Sequence, residues 1–282
     1  MPLLRRAATA LFATLAAAAI LCVAPPARAT TYSTDFTDLW FNPSESGWGV
    51  NVIQQYNTMF VTLFVYGTDT APRWFVAPDV EPSPAGSQNV FSGQLFQTTG
   101  PSFTATSFDT NAVTKTVVGT ITFTFDSTTT GTLQYTVNGV PVTKRISRQT
   151  WRENVLTGNY LGGLTATGTN CGGGVANGNI LIFQTLAVQH SGGQATMNVS
   201  FVNGQGQDSR CTFSGPYTQA GKLGSITGSW SCTVAGAASN AGAFTLSSIQ
   251  AGTTGFSGRF HGNDQFCTYD GQFGGVRDVP TP

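Results

Sequence analysis

The residues best suited to recognition lie close together near the start of the chain. The run Leu39-Trp40-Phe41-Asn42-Pro43-Ser44-Glu45-Ser46-Gly47-Trp48-Gly49-Val50-Asn51 is followed by Pro72-Arg73-Trp74-Phe75. Large rings offer flat apolar surface, and the carboxylate and amides between them offer directed hydrogen bonds, a combination that suits a ligand with one apolar face and a polar edge. Trp40, Asn42, Glu45, Trp48, Asn51 and Trp74 are therefore the candidate ligand-binding residues. A folding role competes with this reading: Trp48 would plug a barrel end and Glu45 would cap amides of the Asn42-to-Ser46 turn.

Acid–base chemistry has thinner support. His261 with Asp264 and Asp270 could form a base and its orienting group, but no serine occupies a Gly-x-Ser-x-Gly elbow, and a turn histidine without catalytic duty accounts for the same residues. Glu45 is the first candidate for an acidic catalytic residue, with Glu81 or an aspartate as the second carboxylate that glycoside hydrolysis requires. His190 and His261 stand alone and the acidic residues are scattered, so neither a metal site nor a cofactor is expected. Lys144, Arg145, Arg148 and Arg152 beside Trp151 form a small basic stretch that could hold a phosphate or sulfate, although an exposed strand face explains it as well. Gly172-Gly173-Gly174 lacks the Lys-Ser/Thr and helix of a phosphate loop and reads as a flexible turn.

Composition narrows the classes. The chain has 282 residues, only 9% of them charged, with 13 basic against 13 acidic side chains and 34 glycines. Heptads and charge runs are missing, which argues against coiled coil, helical bundle and disorder. Met1 to Ala29 carries Arg5 and Arg6, an apolar run from Ala7 to Val23 and the small-residue ending Ala27-Arg28-Ala29, the pattern of a cleaved secretory signal. Cys22 follows Leu21, not the small residue that precedes a lipid-modified cysteine. The mature chain then holds 10 basic and 13 acidic residues, net −3, so nucleic acid is an unexpected partner. Beyond Ala29 no segment approaches the roughly 18 to 20 apolar residues of a spanning helix. An outer-membrane barrel is also disfavoured, because the sequence closes on Val279-Pro280-Thr281-Pro282 and many expected strands are short.

Four cysteines follow residue 170, an even number in an exported chain, so two disulfides are expected. Cys211 and Cys232 lie nearly symmetrically about a turn at Gln219 to Lys222 and should face each other on antiparallel strands. Cys171 and Cys267 lie near the first and last strands of the second half and would staple a closing barrel.

Strand signals dominate. Thr120-Ile121-Thr122-Phe123-Thr124-Phe125 alternates with the period of a half-buried strand, and Asn138-Gly139 is the preferred dipeptide of a two-residue hairpin. Further strands are expected over 60–66 and 73–77. After the linker, strands are expected at the Gly158-to-Gly162 run and over 180–189, 195–202, 210–214, 224–234, 243–249, 255–261 and 266–273. Short strands at 8- to 15-residue spacing, separated by Gly-rich turns, point to an up-and-down meander closed into a barrel or folded as a sandwich. The expected organisation is a signal over 1–29, an aromatic-rich β domain over 30–152 and a Gly-rich, disulfide-stapled β domain over 153–282. The fold class is all-β, two small antiparallel meander barrels or sandwiches in tandem.

The Asn42-Pro43-Ser44-Glu45-Ser46-Gly47-Trp48-Gly49 run, with Phe64-Val65-Tyr66 and Pro72-Arg73-Trp74-Phe75, resembles a domain recurring in exported proteins of proteobacteria. Its pattern is Trp-Asn-Pro-x-Glu-Ser-Gly-Trp-Gly, then a Trp/Phe-Phe-x-Tyr strand and a Pro-x-Trp-Tyr/Phe strand. Phe41 stands where that pattern more often has Trp, and the likeness covers about residues 38–78. It implies an exported setting and assigns no activity.

The leading expectation is an exported, non-catalytic binding or surface-interaction protein, periplasmic or extracellular, that engages a carbohydrate or other small molecule through an aromatic face, or else a protein partner. The rivals are a secreted hydrolase using Glu45 and a structural envelope protein. The strand Met59 to Tyr66 is apolar on both faces, so one face fills the core. The other must meet the second domain, a second subunit or a ligand.

Overall fold

The computed structural model describes residues 33–278; the expected signal segment, Cys22 and the final Val279-to-Pro282 lie outside the described residues. Strands β1 Asp38–Phe41, β2 Gly49–Gln55, β3 Thr58–Tyr66, β4 Pro72–Pro82, β5 Val90–Thr99, β6 Thr114–Phe125, β7 Thr130–Val137 and β8 Val140–Arg148 form a first closed barrel. Strands β9 Gly158–Thr169, β10 Gly178–Ser191, β11 Gln194–Val202, β12 Asp208–Ala220, β13 Leu223–Val234, β14 Ala237–Ala251, β15 Gly255–Asp264 and β16 Thr268–Arg277 form a second. Both are antiparallel meanders in which the first strand pairs with the last. The only helical element among the described residues is the 3-10 turn Thr110–Ala112. Closure leaves no free sheet edge, which is how a chain of Gly- and Thr-rich strands avoids edge-to-edge pairing.

Alternation fills both interiors. On β3, Met59, Val61 and Leu63 point inward and are buried, while Phe60, Phe64 and Tyr66 point out. On β12 and β13, Phe213, Tyr217, Ile226 and Trp230 point inward. The Asn138-Gly139 hairpin turn has positive φ at both residues, 49° and 83°, as a mirror-image turn requires. The second barrel's outer wall carries Thr212, Thr227, Ser229, Ser231, Thr245 and Arg259 over most of its circumference, with a smaller apolar group at Leu161, Leu181, Phe183 and Val276. Apolar inside and hydroxylic outside is the reverse of the pattern of a lipid-facing barrel. No helix of the described residues is long and apolar enough to cross a membrane.

Both expected disulfides form, and both lie in the second barrel. Cys211 and Cys232 are direct register partners on β12 and β13, and Cys171 with Cys267 joins the loops beside the β9–β16 seam.

Each barrel is latched at its seam by the same device. In the first, Trp40 donates its indole N–H to the Phe36 carbonyl four residues upstream, while Arg148, its register partner on β8, lies 4.9 Å over the ring and donates to the Thr37 carbonyl. In the second, the Tyr160 hydroxyl donates to the Leu156 carbonyl, again four residues upstream. Arg277, its register partner on β16, lies 4.9 Å over that ring and donates to the Thr157 carbonyl. Thr37 and Thr157 even accept equivalent backbone N–H groups, from Gln54 and His190. A ring with a polar tip and a cation over its face closes a barrel without leaving either group unpaired.

The barrels meet base to base through the β12–β13 turn. Asp38 accepts from Arg148 (2.9 Å) and from the Lys222 backbone N–H (2.9 Å), Lys222 Nζ reaches Asp35 (2.6 Å), and the Gly221 N–H donates to Thr150 Oγ1. The connecting segment is tied to the same turn, since Gln219 Nε2 donates to the Arg152 carbonyl and the Asn154 N–H donates back to Gln219. The far ends of both barrels therefore stay uncovered by one another.

Candidate functional site

The β1–β2 connection lies at the end of the first barrel opposite this junction. Asn42 organises it: its carbonyl accepts the Glu45 N–H and its side-chain oxygen accepts the Ser44 N–H at 2.9 Å, an Asx turn. Glu45 does not cap backbone amides as expected. One carboxylate oxygen accepts both the Trp48 indole N–H (3.0 Å) and Lys144 Nζ (2.7 Å), and the ammonium lies 5.9 Å from the Trp48 ring centre. The hydrogen bond from Lys144, then that from Trp48, holds the Glu45 carboxyl below the usual carboxylate range. It is an ion-paired anchor at neutral pH, without the proton that a general acid must supply.

Trp48 packs partly against the first core. At the same end a cavity of about 370 Å³ is lined by Tyr66, Arg73, Phe75, Tyr135 and Val142. Burial, followed by the nearby Glu45 charge, pushes the Tyr135 phenol up, so it remains a hydroxyl donor.

Trp74 and Asn51 belong to a different surface, the outer wall of β2 to β4. Phe64 pairs across with Trp74 on one side and with Gly49 on the other, and Asn51 pairs with Thr62 in the next row. A Cβ at Gly49 would come within 2.9 Å of the Phe64 ring, so glycine there lets the ring lie down on β2. Trp74 is 57% exposed, Phe60 44% and Phe64 36%, with exposed Ile53 opposite Phe60. The result is an apolar shelf beside two polar side chains, Asn51 and Thr62, on the wall of a barrel. The second barrel docks at the base and leaves it open.

Trp40 is corrected: it is fully buried, its ring among Phe36, Phe91 and Phe125 and its N–H already bonded, so it belongs to the core and not to a ligand surface. The six sequence candidates thus separate into a core residue (Trp40), a rim group (Asn42, Glu45, Trp48) and a wall group (Asn51, Trp74). Sequence reading missed Phe60 and Phe64 as wall residues. The signal was the two-faced apolar pattern of Met59 to Tyr66, which could not say which face is inside.

The basic stretch also changes meaning. Lys144 is paired with Glu45 and Arg145 with Asp126, while Arg148 is buried and donates to Asp38 and to the Asp35, Thr37 and Thr128 carbonyls. Only Arg152 of the four lies outside such a pairing among the described residues. His261 and Asp270 do meet, at 2.7 Å, but on the exposed outer wall of the second barrel, whereas Asp264 turns inward to Asn240 and Tyr269. Among the described residues no group of three His, Cys, Asp or Glu side chains could hold a metal ion.

Fold and surface together define a tandem eight-stranded meander-barrel protein with an open aromatic wall. Comparison of the chain with models of known families, with curated proteins and with solved structures finds no match.

Proposed function

We propose that the chain is an exported, non-catalytic binding protein that holds a carbohydrate against the outer wall of its first barrel. The observation that carries this reading is the cross-strand pair Phe64–Trp74, substantially exposed and bordered by Asn51 and Thr62. Sugar rings present one face of C–H groups and an edge of hydroxyls, so a ring shelf with amide and hydroxyl neighbours matches both. Exposed Ile53, Phe60, Phe64 and Trp74 grouped on neighbouring strands form an apolar patch of the kind that marks an interaction surface. Export is supported by the leader-like first 29 residues and by two disulfides, which persist in oxidising compartments. The lowered Glu45 carboxyl and its Lys144 partner favour a scaffold role for that residue over hydrolysis.

Calorimetric titration of the oxidised protein with a panel of soluble glycans tests the reading. A binding glycan is expected to lose at least about tenfold in affinity in Trp74→Ala, corresponding to about 1.4 kcal/mol, with the melting curve unchanged. Glu45→Gln is expected to leave binding intact. Absence of binding across the panel, or binding indifferent to both Trp74→Ala and Phe64→Ala, overturns it.

A further inference from the structure

Ring closure pairs every strand with two neighbours, but not along its whole length. At the end of the second barrel remote from the junction, β10 is paired with β9 from Gly178 onward, whereas its pairing with β11 begins only at Thr185, opposite Ser200. Over residues 178–184 the other side of β10 therefore has no strand against it among the described residues. β11 stops at Val202, and the turn that follows is closed on itself: the Asn203 N–H donates to the Gln207 carbonyl, and the Asn203 side chain accepts from the Gln205 and Gln207 N–H groups. The Cys171–Cys267 bridge ties the β9–β10 connection to the β15–β16 connection, so the unaccompanied stretch is held in place from its other side.

Alternation fixes which backbone groups face this gap. The His190 N–H donates to Thr157 Oγ1 and the His190 carbonyl accepts from it, at 3.0 Å each, so His190 turns its backbone to the β9 side. Register along β10 is unbroken, and even-numbered residues therefore address β9 while odd-numbered ones address the β11 side. Asn179, Leu181 and Phe183 hold N–H and carbonyl groups toward the gap, where no strand receives them. The side chains agree: Leu181 is 67% and Phe183 54% exposed on the outer face, and Gln184, which alternates with buried Leu186 and Val188 on the inner face, is exposed as well. Behind the gap lies a cavity of about 210 Å³, lined by Ile180 and Ile182 of β10, by Phe201 and Asn203 on the part of the chain that leaves it, and by Phe213 and Trp230 beyond.

From this unaccompanied strand edge in front of a preformed apolar cavity, we infer that the second barrel binds an extended peptide segment of another protein, added antiparallel to β10 as an extra strand. Asn179, Leu181 and Phe183 each offer it a main-chain donor and acceptor, the groups through which added strands are held. Their span, residues 179–183, is about 17 Å at ~3.4 Å per residue, the length of a short strand. Side chains of the guest alternate between two environments. Those facing in enter a space larger than the roughly 150 Å³ that holds benzene, so an aromatic or branched apolar residue fits there. No Lys, Arg, Asp or Glu lines that space, which selects against a charged residue at the inward position. Those facing out lie beside Leu181 and Phe183, where β-branched residues pack well. This site is independent of the carbohydrate wall, which is on the other barrel.

The test is residue-resolved amide exchange and NMR titration of the oxidised full chain with the blocked peptide acetyl-Lys-Val-Thr-Phe-Thr-Val-Lys-amide. Before peptide is added, the Ile180 and Ile182 amides should be protected by β9 while those of Leu181 and Phe183 exchange as open groups; saturating peptide should slow the latter pair at least about tenfold. In antiparallel addition the threonines share the outer face with Leu181 and Phe183 and turn their N–H groups to β10. Methylating both threonine nitrogens is therefore expected to weaken binding by at least about tenfold, on the scale of two neutral hydrogen bonds, and methylating the phenylalanine nitrogen to do far less. Glutamate in place of the peptide's phenylalanine should cost at least about tenfold as well. On the protein, Phe183→Pro removes a donor from the open edge and leaves the β9 ladder whole, so it should weaken the peptide by about three- to tenfold more than Phe183→Ala, with Ile180 and Ile182 still protected. The inference is overturned if Leu181 and Phe183 are already protected in the free monomer, if their protection instead rises with protein concentration as a second copy covers them, if millimolar peptide leaves them unmoved, or if the threonine-methylated peptide binds equally well.

Discussion

The two barrels share strand number, topology and seam latch, and differ in what fills them and what covers them. The first is packed by aromatic rings at its base: Phe36 stacks on Phe125 at 3.7 Å between centroids, with Trp40 and Phe91 around them, and it has no disulfide. The second has its own ring cluster about Phe213, with Phe244, Phe260 and Phe273, but its remote end holds two bridges and a cavity. An unpacked volume near 210 Å³ costs at most on the order of 5 kcal/mol at ~24 cal/mol per Å³. Constraining a loop near 100 residues contributes about 4.7 kcal/mol and one near 15 residues about 3. The covalent constraint is thus the right size to offset the unpacked volume at that end, whereas the first barrel, without bridges, relies on its ring-packed base and carries its own cavity of about 370 Å³ at the opposite rim. Their outer walls diverge as well: rings on the first, mainly hydroxyls on the second.

Reduction should separate the barrels most strongly. With bridges spanning 96 and 21 residues, reducing conditions should lower the second barrel's stability by more than about 4 kcal/mol. Residue-resolved hydrogen exchange should show the loss on β9 to β16 and far less on β2 to β7. Uniform loss would mean that the barrels unfold as one unit.

The converse perturbation is Trp40→Ala, which empties a fully buried indole site and uncovers Arg148. A loss of about 3–5 kcal/mol is expected, again by exchange or denaturant unfolding, concentrated in the first barrel.

Asp38→Ala tests the junction. Arg148 would keep a buried charge without its carboxylate, and the Lys222 N–H would lose its acceptor, so about 3 kcal/mol or more should disappear, with protection lost around both the seam and the β12–β13 turn. Asp38 has no counterpart in the second latch, where Gly158 occupies the equivalent place two residues before Tyr160. The analogous change there has no target.

Alkaline unfolding offers a smaller, signed effect. Burial, then its hydrogen bond to Asp264, raises the Tyr269 phenol to about 12 from 10.0. The folded chain keeps a proton that the unfolded chain releases. The stabilisation is complete below pH 10 and is lost as pH climbs through about 12. Tyr269→Phe should flatten this limb of a stability–pH curve. An unchanged limb would reassign it to Tyr160 or Tyr217, whose phenols burial also raises.

The smallest expected change is the stability of Trp74→Ala. An exposed wall ring should cost within about 0.5 kcal/mol, so a melting shift comparable to that of Trp40→Ala would place Trp74 in the core and remove the proposed shelf.

Local periodicity was enough to establish β structure, the meander and most strands of the second half, because inside–outside alternation is written in neighbouring residues. It missed β5, where Val90 to Thr99 mixes Gly, Gln and Ser with its apolar positions, and β1, which is only four residues long. The Cys211–Cys232 pairing was legible because a hairpin places symmetric residues opposite each other, and Cys171–Cys267 because a closing meander brings first and last strands together. Three matters required the folded chain. Trp40 and Trp74 are equivalent as letters, yet one sits inside a barrel and the other on its wall. Arg148 reads as one member of a basic stretch, yet it faces Trp40 from 108 residues away and plugs the seam. The buried, unpaired Trp230 N–H packs against Gly242 across the sheet. In each case the environment comes from residues distant in sequence, and only ring closure decides which of them a side chain meets.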